Sequence, residues 1–186
     1  MNPVKEQIDL LKAILPDAKT VAVLYCSSES NSAAQYALAK AQIEALGMTC
    51  IEKTISAIDE AKSAVESLAG VADAIYVPTD NTISDSMTSV SAAANAVKLP
   101  LIVGEAGMVV NGALATYGID YYILGKQTAE MAVKLLKADK PLDEIAKMAV
   151  VYQTDCVYAV NTDTAAALGI TIPEEILSKA TIYPSK

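Results

Sequence analysis

The sequence contains no histidine, and this absence limits its chemistry more than any other feature. Histidine is the usual general base near neutral pH and a member of Ser–His–Asp and Cys–His catalytic groups. It is also a ligand in most zinc sites. Catalysis by those groups is therefore excluded, together with nearly all zinc sites, and we expect neither a metal nor a cofactor.

Arginine is absent as well, and cysteine is scarce. The 14 basic residues are all lysines against 22 acidic residues, and the formal net charge of −8 disfavours a nucleic-acid partner. Cys26, Cys50 and Cys156 are too far apart to predict a disulfide framework or a Cys-x-x-Cys metal site. No apolar run approaches the roughly 18 residues of a membrane-spanning helix. The polar first residues resemble no secretion signal, so the chain as written is expected to be cytoplasmic.

The sequence is rich in aliphatic residues: 53% of it is hydrophobic, although only 5% is aromatic. Apolar runs such as residues 20–25 have the character of strands buried on both faces. They alternate with segments of helical periodicity, including one at 121–137 and one from Asn81 or Thr82 to Lys98. One or two strands are predicted within residues 150–160. The pattern predicts an α/β fold with three layers around a doubly wound, mostly parallel sheet.

Ligands of such sheets bind outside the carboxyl ends of the strands. In this sequence those ends fall at residues 26–32, 79–82, 104–107 and 120–122, which are mostly polar or small. We therefore expect the functional site at this edge of the sheet.

Three catalytic or nucleotide-binding interpretations of this edge fail. A phosphatase loop beginning at Cys26 would need an arginine six residues later, where Ser32 stands. The pair Gly104 and Gly107 lacks the third glycine of a dinucleotide-binding turn. Asp80 lacks the neighbouring acidic pair of a phosphoacceptor domain. An edge without a nucleophile and base favours recognition over catalysis, so we do not expect an enzyme.

The polar groups at the edge fit a zwitterion. Hydroxyls of residues 28–32 and amides at helix N-termini can hold a carboxylate. Carboxylates at three strand ends can pair with an ammonium group: Asp80, Glu105 and Asp120. An amino acid is thus a candidate ligand. The alternative is that several of these side chains only cap helices, namely Asn31, Asn81 and Asp120.

Four segments resemble one group of ABC-transporter substrate-binding proteins. Residues 24–32 (LYCSSESNS) are similar to that group's LYNSSEANS loop. Further similarities follow in the family's order at residues 73–82 (DAIYVPTDNT), 112–122 (GALATYGIDYY) and 167–173 (ALGITIP). The resemblance covers nearly the whole chain.

This resemblance implies a two-lobed, type I periplasmic-binding-like protein that works outside the cytoplasmic membrane, often as a lipoprotein. Some members resemble tryptophan or tyrosine binders, and all deliver their ligand to an ABC permease. The chain corresponds to the C-terminal, flavodoxin-like lobe, formed by residues 3–119 and 148–186. Residues 120–147 would cross the hinge and pack on an N-terminal lobe. Without that lobe, helix 121–137 is expected to mediate a homodimer or to fold onto its own sheet.

The resemblance also implies a ligand site without metal or cofactor: Ser28, Asn31, Ser32, Thr79, Asp80, Asn81, Glu105 and Asp120. The first three would hold the ligand carboxylate, and Asp120 would pair with its ammonium. Cys26 stands where the family usually has asparagine. Contacts to an aromatic ring on the ligand are expected largely from the absent lobe.

Two other functions remain open from the sequence. One is a truncated or engineered stand-alone flavodoxin-like domain with a structural or assembly role and no ligand. The other is an enzyme that uses Asp80 or Glu105 as an acid–base group.

Overall fold

The computed structural model describes residues 2–138, 143 and 145–184. Its helices and strands follow in this order: α1 (Val4–Ile14), β1 (Thr20–Cys26), α2 (Ser30–Ala45), β2 (Thr49–Ile55), a 3₁₀ turn (Ile58–Glu60), α3 (Ala61–Glu66), β3 (Ala74–Val77), α4 (Asn81–Ser84), α5 (Met87–Ala96), β4 (Leu101–Val103), α6 (Ala106–Val110), β5 (Ala115–Gly118), α7 (Tyr121–Leu136), β6 (Val157–Asn161), α8 (Thr162–Leu168), α9 (Glu174–Leu177) and β7 (Ala180–Tyr183).

The described strands form one sheet in the order β2-β1-β3-β4-β5-β6-β7. Strands β1 to β5 are parallel, β6 is antiparallel to β5, and β7 is parallel to β6. The carboxyl ends of β1 to β5 therefore lie at one edge, where β6 begins. The predicted three-layer, mostly parallel α/β fold is confirmed.

Burial of β1 on both faces explains its continuous apolar sequence. Val21 and Val23 belong to one core with α1 and α2, whereas Ala22 and Leu24 belong to a second core with α3 and α5. Successive side chains of a strand point to opposite faces, so residues 21–26 of β1 fill the two cores in turn.

Two predicted elements have different boundaries in the structure. The helix predicted from Asn81 or Thr82 to Lys98 is two helices, α4 and α5, because the polar residues 84–86 favour a turn. The strand region predicted at 150–160 contributes only β6. Its partner β5 is short, and their pairing begins at Gly118 with Val157. Helices α6 and α9 and strand β7 were not predicted.

Helix α7 is poorly covered by the described part of the chain. None of its 16 described residues is buried, and Tyr122 and Leu136 are 82% and 81% exposed. The alternative in which this helix folds onto its own sheet is therefore not what the structure shows. Of the segment predicted to cross the hinge, residues 139–142 and 144 lie outside the described residues, as do 185–186 of the predicted lobe. Among the described helices, none is long and apolar enough to cross a membrane.

Candidate functional site

Hydrogen bonds to Asp80 link the loops that follow β1 and β3. Its buried carboxylate accepts hydrogen bonds from the Cys26 N–H (2.8 Å), the Ser32 hydroxyl (2.8 Å) and the Ile83 N–H (3.0 Å). The last bond caps α4. Ser32 is fully buried as well. Ser32 and Asp80, both predicted to contact the ligand, thus form their hydrogen bonds within the protein. Together they hold the two loops at this edge of the sheet in place.

A second carboxylate, that of Glu29, ties the same two loops at the surface. It accepts from the N–H groups of Asn81 (3.0 Å) and Thr82 (2.7 Å), from the Thr82 hydroxyl (2.9 Å) and from the Asn31 amide (3.3 Å). Burial acts to raise the pKa of Glu29, but these hydrogen bonds outweigh it and lower the pKa from its ordinary value. Glu29 was not predicted from the sequence, because Asn81 and Thr82 lie 52 and 53 residues away from it.

Thr79 is held at the centre of the edge by its neighbours. Its carbonyl accepts from the amide of Asn31 (2.9 Å), and its hydroxyl accepts from the amide of Asn2. Asn2 also donates to Gln35 on α2 (3.2 Å). A Cβ on Gly104, at the end of the neighbouring strand, would lie 2.6 Å from the Thr79 hydroxyl. Glycine is therefore required at position 104 for this close approach.

Gln7, on α1, forms hydrogen bonds that link the helix to the neighbouring strands of the sheet. This fully buried side chain donates to the carbonyls of Gly104 (3.1 Å) and Tyr117 (2.9 Å) and accepts from the Tyr76 hydroxyl (2.6 Å). Burial raises the pKa of Tyr76, so its hydroxyl stays protonated and remains a donor. Helix α1 is thereby anchored to β3, β4 and β5 at the edge that carries the candidate site.

Glu105 and Asp120 are helix caps. Glu105 accepts from the N–H groups of Gly107 (2.7 Å) and Met108 (2.9 Å) at the start of α6. One oxygen of Asp120 accepts from the N–H groups of Tyr122 (2.8 Å) and Ile123 (3.1 Å) at the start of α7. Within the described residues, the other Asp120 oxygen has no hydrogen-bond partner, so that carboxylate can cap the helix and still meet a cation.

The eight predicted residues therefore differ in their access to a ligand. Ser28, Asn31 and Asn81 are exposed, and Ser28 lies 3.1 Å from the Cys26 sulfur. Thr79, Glu105 and Asp120 are half-buried, while Ser32 and Asp80 are buried. Of the three residues considered as possible caps, only Asp120 caps a helix among those described. The structure brings Ser28, Asn31, Ser32, Thr79, Asp80 and Asn81 together where β1 and β3 end.

A cavity of about 630 Å³ opens beside Asn31 and Thr79. Its volume is in the range of small-molecule sites. It is lined by Asn2, Asn31, Ala34, Gln35, Leu38, Thr79 and Tyr152. A second cavity, of about 540 Å³, lies along the C-terminal half of α7, where none of the eight predicted residues lines it. Among the described residues, no cluster of three or more acidic, histidine or cysteine side chains could hold a metal ion.

Comparison with known proteins gives consistent matches along the chain. A family model described as ABC transporter substrate binding protein matches residues 1–183. The tyrosine-binding protein of Clostridioides difficile strain R20291 is 35% identical over 168 residues, which cover 88% of this chain and 49% of that protein. The chain thus spans about half the length of this curated relative.

Solved structures match the fold as well. The ABC domain from Streptococcus pneumoniae in complex with L-Trp is 36% identical with a TM-score of 0.86, and the match covers 98% of this chain and 62% of that one. A conserved domain protein from Vibrio cholerae O1 biovar El Tor is 32% identical with a TM-score of 0.88, at 98% and 60% coverage.

Proposed function

The chain belongs to the ABC transporter substrate-binding protein family, and from this membership we propose that it is the lobe with which such a protein recognises an aromatic amino acid. Members of this family typically bind a solute rather than transform it, and we propose the same non-catalytic role here. The observation that carries the proposal is the edge itself. Exposed amide and hydroxyl groups from two loops meet there beside a cavity large enough for an amino acid.

The predicted residues have two kinds of role: some would contact the ligand, and the others hold the site in shape. Ser28 and Asn81 offer exposed hydrogen-bonding groups for the ligand carboxylate, and Thr79 lines the cleft beside them. The amide group of Asn31 already donates to Glu29 and Thr79, so its oxygen would accept from the ligand ammonium instead of holding the carboxylate. The free oxygen of Asp120 would pair with the ligand ammonium. We assign supporting roles to three residues whose side chains are already bound within the protein: Ser32, Asp80 and Glu105.

Three points of the chain lie at this edge of the sheet, and their positions support a division of the chain into a lobe and a hinge-crossing segment. Asn2, before α1, bonds to Thr79 at the edge, β5 ends there, and antiparallel β6 begins there. We propose that residues 3–119 and 148–186 form one lobe. Residues 120–147 would contact a second lobe, equivalent to the part of the longer relatives that this chain does not match. Delivery to an ABC permease outside the cytoplasmic membrane follows from the family and is part of the proposal.

Calorimetric titration of the chain with L-Trp, L-Tyr, L-Lys and L-Glu tests this function. We expect binding of the two aromatic amino acids, weakened at least tenfold by Asp120→Asn. Asparagine still caps α7, so the circular dichroism should not change. The matched control is Asp17→Asn, an exposed aspartate before β1. Equal affinity for the Asp120→Asn variant would contradict the role of Asp120. A folded chain that binds none of the four would favour the structural alternative.

A further inference from the structure

One face of α2 and the side chain of Tyr152 enclose the cavity of about 630 Å³. Asn31, Gln35 and Leu38 follow one another on α2 at spacings of four and three residues, so they share a helix face. Tyr152 comes from the segment between α7 and β6 and lines the same cavity. Residues far apart in sequence thus build a groove that runs from the sheet edge along α2.

The two parts of this groove differ in chemistry. At the sheet edge, the side chains of Asn2, Asn31 and Gln35 form a connected set of hydrogen bonds with the backbone and the hydroxyl of Thr79. Further along α2 the lining is apolar: Ala34, Leu38 and Tyr152. A ligand that fits both parts has a polar head group and an apolar side chain.

Leu38 and Tyr152 remain 44% and 54% exposed, although each lines the cavity. A flat apolar group placed between them would remove this surface from water, which is favourable. An aromatic ring gains in addition from contact with the ring of Tyr152. These two side chains therefore favour an aromatic occupant over a small aliphatic one.

The lining also argues against charged side chains on the ligand. Among the described residues, none that lines the cavity carries a charge. A lysine or glutamate side chain in the groove would lose water without gaining an ion-pair partner, which is costly. Within the described residues, the carboxamide oxygen of Asn31 has no hydrogen-bond partner, so it can accept one from an ammonium group at the polar end.

We propose that this groove receives the aromatic side chain of the amino-acid ligand, with Tyr152 as a specificity-determining residue and Leu38 as the opposite wall. The inference rests on the proposed function, and it places the contacts to the ring in this chain. From the sequence, those contacts were expected largely from an N-terminal lobe. The ligand head group would then lie at Asn31 and Thr79.

The test separates ring from head group by NMR titration of the full chain, with labelled leucine methyl groups and backbone amides. Indole probes the ring site, glycine probes the head-group site, and L-Trp probes both. We expect indole and L-Trp to shift the Leu38 methyl signals. Tyr152→Ala should weaken indole and L-Trp at least tenfold and leave glycine within twofold, while Tyr152→Phe should retain most of the affinity. Val71→Ala, at an apolar side chain as exposed as Tyr152 and between α3 and β3, is the control.

Each contrary result has its own meaning. If L-Trp shifts the amides of residues 26–32 and 79–82 but not Leu38, the groove proposal is wrong and the proposed function stands. If Tyr152→Ala weakens glycine as strongly as indole, Tyr152 does not determine specificity. If indole and L-Trp bind but Tyr152→Ala changes neither, the ring lies elsewhere. If neither amino acid shifts any signal, the proposed function and the groove proposal fail together.

Discussion

The Asp80 carboxylate and the Ser32 hydroxyl, 48 residues apart in sequence, form a fully buried hydrogen bond of 2.8 Å. This bond joins the start of α2 to the loop after β3, so Asn31 and Thr79, each next to one of its partners, keep a fixed separation. Side chains that the sequence assigns to ligand contact are thus responsible for holding the site in shape.

Replacing Asp80 with alanine is expected to destabilise the fold. The change leaves the Cys26 N–H, the Ser32 hydroxyl and the Ile83 N–H buried without an acceptor. We expect the free energy of unfolding to fall by about 3 kcal/mol, since each buried donor left without its charged partner is costly. Urea denaturation measures the change. Asp85→Ala, at an exposed position five residues later, is the control and should have little effect. A similar small effect for both variants would show that the Asp80 network does not support the fold.

The lowered pKa of Glu29 predicts that the stability of the fold depends on pH. Its pKa is lower in the folded protein than in the unfolded chain, so its contribution is present above the unfolded value, near pH 4.3, and is lost as the pH falls through the folded value. Glu29→Gln should therefore lower the melting temperature at pH 7 and have much less effect near pH 3. Glu130→Gln, on the exposed surface of α7, should change it at neither pH. An equal difference at both pH values would show that the charge of Glu29 does not act on this equilibrium.

The sequence predicted the sheet because its signals are local. A run such as residues 20–25 is buried on both faces, and burial of this kind is visible in composition alone. The site was only partly predictable, because a carboxylate at a strand end has the same local sequence whether it caps a helix, joins two loops or faces a ligand. Asp80, Glu105 and Asp120 all cap helices. Glu29 and Tyr152 become significant only through neighbours that are distant in sequence.

Gly104→Ala is expected to damage the site through Thr79. The added Cβ would lie 2.6 Å from the Thr79 hydroxyl, so the end of β3 must move. We expect a loss of about 2 kcal/mol in the free energy of unfolding, as for other overpacked positions, and weaker binding of L-Trp. Gly125→Ala is the control, because a Cβ there meets nothing within 4 Å. This helical position should gain about 0.5–1 kcal/mol. Retention of both stability and affinity in Gly104→Ala would show that the contact is not needed.

Helix α7 exposes several apolar side chains to solvent. Tyr122, Ala129, Val133 and Leu136 are all exposed and follow one another at spacings of seven, four and three residues, so they share one helix face. Lys126 lies on that face between the first two, and the other three form a continuous apolar stripe. Contiguous exposed apolar surface is typical of interaction sites. In solution, where no other partner is present, we expect the chain to associate with a second copy through this stripe.

Light scattering during size-exclusion chromatography measures this association. The chain should elute at about twice its monomer mass of 19.5 kDa. The double substitution Val133→Glu and Leu136→Glu should return it to the monomer, because like charges would then face each other across the interface. Thr128→Glu and Lys134→Glu, exposed positions about 120° around the helix on either side of the stripe, form the control and should leave the dimer intact. If the unaltered chain is monomeric at high micromolar concentration, the dimer hypothesis is wrong, and the stripe would instead be complementary to the part of the longer relatives that this chain does not match.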